Sequence, residues 1–176
     1  MIYNTLQNLL GFVRLSLSNV LPLEIAGRNM QDIYNFLQVC DRIATAGQPT
    51  REQFLTIKDS GYQVVVNLAL PTSTNAIPDE NQLVEALEME YISIPVVWEN
   101  PTLNDLEQFF QAMNANTDKK VFVHCAANMR VSAFMYLYRR LQQGITEAEA
   151  RKKLRQIWQP NENWQQFIQK AIAHYQ

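Results

Sequence analysis

The stretch Val121-Phe-Val-His-Cys-Ala-Ala-Asn-Met-Arg-Val-Ser132 decides the reading of this chain. Its first residues are apolar and β-branched, as in a buried strand. His124 and Cys125 close that run, a short loop carries Arg130, and a helical pattern follows from about Ser132 to Gln142. A turn between a strand and a helix aims successive backbone N–H groups at one point, and the helix N-terminus adds about half a positive charge there. A cysteine seated in that field favours its thiolate, which is the reactive form. Arg130 supplies a planar fork for an oxyanion. The expectation is an anion-binding loop built on Cys125, Ala126, Ala127, Asn128, Met129 and Arg130.

Working outward, the same alternation of strand and helix recurs. Thr50 and Gln53 form a capping box for a helix from about Arg51 to Ser60, stopped by Gly61. Tyr62 to Leu70 is a continuous β-rich run of the kind buried on both faces. A helix is expected over Asp79 to Met89, where Asp79 and Glu80 suit the first turn through the dipole alone, and a strand over Glu90 to Val97. Thr102 and Asp105 open a helix to about Asn114, and Lys120 to His124 is the strand that feeds the cysteine. After Gly144, Thr146 and Glu149 cap another helix, and Pro160 precedes a last one bearing Trp164, Phe167, Ile168 and Ile172. Ile33 to Ala46 reads as short irregular or extended pieces ending at a Gly47-Gln48-Pro49 turn. Three strands alternating with helices predict an α/β fold, a mostly parallel sheet with helices on both faces. Ligands in such sheets sit beyond the carboxyl ends of the strands, where Cys125 falls.

Met1 to Leu23 carries Leu6, Leu9, Leu10, Val13, Leu17, Val20 and Leu21 at helical spacing, and polar residues interrupt it too often for a bilayer span. The expected organisation is an amphipathic N-terminal helical extension over residues 1–30, docked on the domain or making a homodimer, and one α/β domain over 31–176. With 176 residues and 47% hydrophobic content the chain can bury a substantial core. Its net charge of −2, from 15 Lys plus Arg and 17 Asp plus Glu, argues against nucleic acid as a partner. The basic run Arg151, Lys152, Lys153 and Arg155 reads as a solvated helix face. Two cysteines and no secretory-looking leader point to a reduced, cytoplasmic protein. Cys40 reads as a core residue, with a resolving thiol for Cys125 as the alternative. His174 reads as surface. Glycines at 11, 27, 47, 61 and 144 allow neither a dinucleotide fingerprint nor a Walker loop, and the Cys and His residues are too scattered for a metal cluster, so no cofactor is expected.

The run HCAANMRVS resembles the signature loop H-C-x-x-G-x-x-R-S/T of the dual-specificity, cysteine-dependent phosphatases, and the stretch from Arg42 to Arg140 resembles a bacterial branch of that superfamily. Matching segments include VVVNLALP at Val64 to Pro71 and IPVVWENPT at Ile94 to Thr102. The resemblance implies a phosphorylated or other anionic substrate, Cys125 as nucleophile on phosphorus, Arg130 as oxyanion clamp and His124 as the neighbour that orients the loop. It also implies that Ser132 donates to the cysteine sulfur, while an ordinary helix N-cap is the structural alternative for that residue. An acid on a separate loop protonates the leaving group in that family. Glu99, in Trp98-Glu99-Asn100-Pro101, stands at the corresponding place, and Asp105 is the competitor whose capping role is already sufficient.

The spacing departs from the family by one residue. Four residues, Ala126 to Met129, separate Cys125 from Arg130. Aligned without a gap, Asn128 takes the glycine place, which suits a residue that tolerates a left-handed backbone, and Val131 takes the arginine place. Aligned with a gap, Arg130 keeps its role in a smaller loop, whose length resembles the C-x-x-G-x-R-S loop of rhodanese-type sulfurtransferases. Sulfur transfer through a Cys125 persulfide and a catalytically inactive anion-binding pseudophosphatase are therefore the alternatives to phosphatase action.

Overall fold

A computed structural model describes residues 29–176 of the chain. The expected amphipathic helix of the first thirty residues, and with it the homodimer through that helix, lies outside the described residues.

Five strands form the sheet: β1 (Leu37–Cys40), β2 (Ile43–Ala46), β3 (Val64–Asn67), β4 (Glu90–Ser93) and β5 (Val121–His124). Their spatial order is β1-β2-β5-β3-β4. β1 runs antiparallel to β2, and every other pairing is parallel. The helices are α1 (Arg51–Asp59), α2 (Glu80–Ala86), α3 (Leu103–Ala115), α4 (Met129–Leu141), α5 (Glu147–Ile157) and α6 (Glu162–Tyr175). The three sequence-predicted strands are β3, β4 and β5. The hairpin of β1 and β2 is the addition, made from pieces that carry no clear strand signature. β2 gains its place by pairing along the whole of β5, from Ile43 opposite Val121 to Ala46 opposite His124. Pairing with a neighbour, which no local propensity encodes, turns those four residues into a strand.

Alternation along the strands divides the core into two layers. Val64, Val66, Val121, Val123 and Cys125 face the side covered by α3, α4, α5 and α6, where Phe109, Phe134, Trp164 and Phe167 pack. Val65 and Phe122 face the other side, with Phe54 and Ile57 of α1 and Val84 of α2. Consecutive residues of a strand point to opposite faces, so His124 turns towards α1 and α2 while Cys125 turns the other way. Burying both faces explains why the valines of β3 show no exposure at all.

The capping boxes read from Thr50 with Gln53 and from Thr102 with Asp105 are both formed. α2 is shorter than expected, because Glu88 adopts a left-handed backbone with φ 57°. α4 starts at Met129, earlier than the expected Ser132, because Asn128 takes the left-handed turn with φ 63° and the helix follows at once. No helix among the described residues is long and apolar enough to cross a membrane.

Candidate active site

β5 delivers Cys125 to the carboxyl end of the sheet, and α4 begins four residues later. The loop between them is held by its carbonyl groups. Ala126 O accepts from the Gln48 amide at 3.3 Å and from Asn75 Nδ2 at 3.0 Å. Ala127 O accepts from Asn35 Nδ2 at 3.1 Å. Asn128 Nδ2 returns to Asn35 O at 2.7 Å and also donates to Thr45 Oγ1 at 3.0 Å. In a trans peptide the C=O and the next N–H point in opposite directions, so anchoring the Ala126 carbonyl outward turns the Ala127 amide to the inner side. Asn128 is the N-cap of α4, yet its side chain makes no capping bond. The first-turn amides of the thirteen-residue α4 are thus left free to meet a ligand. Among the described residues the N–H groups of Ala126, Ala127, Met129 and Arg130 meet no acceptor.

Arg130 lies at this helix start with only 8% exposure, and its buried Nε has no hydrogen-bond partner. Its guanidinium carbon sits 5.9 Å from the Trp98 ring centroid. A buried, unpaired guanidinium is costly unless an anion joins it. Val131, by contrast, is fully buried in the core beside Ala133. Val131 thus packs into the core, while Arg130 stays at the helix start with its Nε unpaired. Cys125 is 1% exposed and bears on the same core layer. Burial alone is what an inert cysteine shows. The free amides of the loop that follows it, and the unpaired Nε of Arg130 where that loop enters the helix, are what distinguish it.

Ser132 departs from both roles expected of it. Its hydroxyl donates to Met129 O at 3.0 Å and accepts from Trp158 Nε1 at 3.1 Å, so the proton is not directed at the cysteine sulfur. Nor is it an N-cap, since it stands inside α4. All three tryptophans of the chain gather beside it, with Trp98 5.3 Å from Trp158 and 5.3 Å from Trp164 between ring centroids. Trp164 Nε1 donates to Trp98 O at 3.1 Å, and Asn163 Nδ2 donates to Glu99 O at 3.1 Å. α6 thus ties down the loop whose next residue is Glu99. The Glu99 side chain is exposed and makes no bond among the described residues. Asp105 is occupied, its Oδ2 accepting from the Thr102 amide at 3.0 Å.

His124 is fully buried between the rings of Phe54 and Phe122, with Nε2 3.0 Å from Glu80 Oε1. The contact is close but lacks the alignment of a hydrogen bond. Glu80 does stand in the first turn of α2, and it is itself only 3% exposed. Oε1 accepts from Asn67 Nδ2 at 2.7 Å and from the Tyr91 hydroxyl at 2.9 Å, and Oε2 accepts from Gln48 Nε2. Burial pushes its carboxyl up, but His124, Gln48 and Tyr91 together outweigh that and hold it below its ordinary value. The same carboxylate, after burial, pushes the Tyr91 hydroxyl up. Sequence reasoning missed Glu80, Asn35, Asn75 and Trp158. Their contacts with the loop and its flanks come from segments far away in the chain, so no local pattern gives them away.

Cys40 is exposed and pairs with Ile43, at the opposite end of β5 from Cys125. Four strand residues at about 3.3 Å each separate the two ends, well beyond disulfide reach. Neither a core role nor a resolving role fits it. Among the described residues no group of His, Cys, Asp and Glu could hold a metal ion.

The solved structure of a DUF442 protein from Shewanella putrefaciens CN-32 is 37% identical, with a TM-score of 0.75 over 86% of this chain and 99% of that one. Tk-PTP in its active form shares the fold, with a TM-score of 0.68 at 15% identity over 78% of this chain and 95% of that one. TpbA of P. aeruginosa does so with a TM-score of 0.63 at 14% identity over 78% and 84%. A protein of Xylella fastidiosa called beta-lactamase hydrolase-like is 28% identical over 98 residues, which are 53% of this chain and only 22% of that relative. The family model described as DSP-PTPase phosphatase fused to NAD+ kinase matches residues 29–172, and the chain belongs to that family of cysteine-type phosphatases.

Proposed function

We propose that the chain hydrolyses a phosphomonoester through a cysteinyl-phosphate. The observation that carries this reading is the buried Arg130 side chain, whose Nε has no partner, at the start of the helix that follows Cys125 and the free amides of its loop. In the first step the Cys125 thiolate attacks phosphorus, the bond to the ester oxygen breaks, and Glu99 gives that oxygen a proton. In the second step water attacks phosphorus, its proton returns to the Glu99 carboxylate, and the S–P bond breaks to release inorganic phosphate and the thiolate. The loop amides from Ala126 to Arg130 and the Arg130 fork hold the phosphoryl oxygens, which carry most of the charge in transit. Trp98 supports the choice of Glu99, because its ring lies against Arg130 and its neighbour in sequence is that carboxylate.

Purified protein is expected to release phosphate from an aryl phosphate between pH 5 and 8, and Cys125→Ser to abolish that release. Absence of turnover with phosphate still bound would leave the anion-binder reading instead. The one-residue-short loop favours a second reading, sulfur transfer, and thiocyanate formed from thiosulfate and cyanide without phosphate release would establish it.

A further inference from the structure

The buried polar network behind the cysteine has no part in the steps above, yet it sits directly on the residue before the nucleophile. We propose that Glu80 is a positioning residue, whose buried carboxylate keeps a proton on His124 Nε2 and thereby fixes the ring and the main chain that carry Cys125. The proposal rests on Cys125 being the nucleophile of the reading given above.

Geometry favours a hydrogen on the ring nitrogen that faces Glu80. A bare Nε2 lone pair 3.0 Å from a carboxylate oxygen would be repelled, so Nε2 carries a hydrogen. Nδ1 is buried and meets no partner among the described residues. An orphaned buried N–H is rarer in proteins than an under-satisfied acceptor, so a hydrogen is better placed on Nε2, beside the carboxylate, than on Nδ1. Phe54 on α1 and Phe122 on β5 flank the ring and offer no competing polar group. The groups that face Glu80 are the Asn67 amide from β3, the Tyr91 hydroxyl from β4 and the Gln48 amide. They hold the carboxylate in place from three directions.

The geometry also links this network to the loop. Gln48 reaches Glu80 with its side chain and Ala126 O with its backbone amide. The His124 carbonyl accepts from the Leu68 amide at 2.8 Å, and the Asn67 side chain accepts from the Ala69 amide at 2.7 Å. Glu80 therefore braces the strand end from which Cys125 projects and the segment that anchors its loop. A static brace with a chosen tautomer is how outer residues commonly prepare a reacting site.

The test uses the whole chain labelled with 15N-histidine. Only His124 and His174 contribute signals, and His174→Asn assigns them. His124 is expected to carry hydrogen on Nε2 in the wild type, and a bare Nε2 would overturn the proposal. Glu80→Gln is expected to lower kcat on an aryl phosphate by about tenfold or more, with KM changed by less than about twofold. In a His124→Asn background the same change should cost less than about twofold more, because the ring through which Glu80 acts is gone. Equal losses in both backgrounds would overturn the proposal. If Glu80→Gln does not fold, the wild-type spectrum still decides. If the wild type releases no phosphate, the function assigned above fails, while the spectrum still judges the pair.

Discussion

Arg130 and Ser132 stand two positions apart at the start of one helix and have opposite fates. The guanidinium is buried with a free Nε, so its charge is available to a ligand. Replacing it with lysine keeps the charge but removes the planar fork, and kcat on an aryl phosphate is expected to fall by roughly a hundredfold or more. Steady-state kinetics of Arg130→Lys checks this, and near wild-type turnover would remove Arg130 from the site. The Ser132 hydroxyl is committed to Met129 O and Trp158 Nε1. Ser132→Ala should therefore cost about 1 kcal/mol in denaturant unfolding and change kcat by no more than about threefold. A large loss of kcat with unchanged stability would restore the sulfur-directed role. Sequence reasoning singled out both residues, Arg130 as the basic residue of the loop after Cys125 and Ser132 through the resemblance to the phosphatase signature. The hydroxyl's partner was beyond it, since Trp158 is the residue that ends α5 and its indole N–H arrives only when α5 packs on α4.

At the scale of elements, the loop after β5 depends on a clasp from elsewhere in the chain. Gly47 lies where a Cβ would meet Tyr34 Cδ1 at 2.7 Å, Tyr34 O at 3.0 Å and Ala126 O at 3.2 Å. The tyrosine ring is exposed and can swing aside, but the two carbonyls belong to the backbone on either side of the clasp. Gly47→Ala is expected to destabilise the fold by about 1–3 kcal/mol and to reduce turnover with it, because relieving the overlap shifts Ala126. Thermal unfolding read together with activity checks this. Unchanged values in both would show that the approach is slack. The helices were legible as elements because their caps are local: Thr50 with Gln53 and Thr102 with Asp105 need only three residues of spacing. The hairpin of β1 and β2 was not, since its strands are short and depend on β5 for pairing.

For the whole molecule, the network around Glu80 spans α2, β3, β4 and β5, and it makes stability respond to acid. The Glu80 carboxyl titrates below its ordinary value of 4.5 in the folded protein. A group whose folded value is depressed adds stability above the unfolded value, and that contribution is lost as pH falls through the folded one. The melting temperature of the wild type should therefore fall on acidification below about pH 4.5, and Glu80→Gln should flatten that limb. Calorimetry of the two proteins over pH 3 to 6 checks this. Identical acid limbs would show that Glu80 contributes nothing to it. By itself the sequence determined the α/β class, the strand that carries Cys125, the arginine-bearing loop and both capping boxes, because periodicity, caps and spacing are local properties of the chain. Only the tertiary structure decided that Val131 enters the core while Arg130 keeps an unpaired Nε, that Cys40 stands apart from Cys125, and that Glu80 lies buried against His124. Those outcomes depend on which faces meet when strands pair and helices pack, and side-chain burial is a property of the neighbours that arrive.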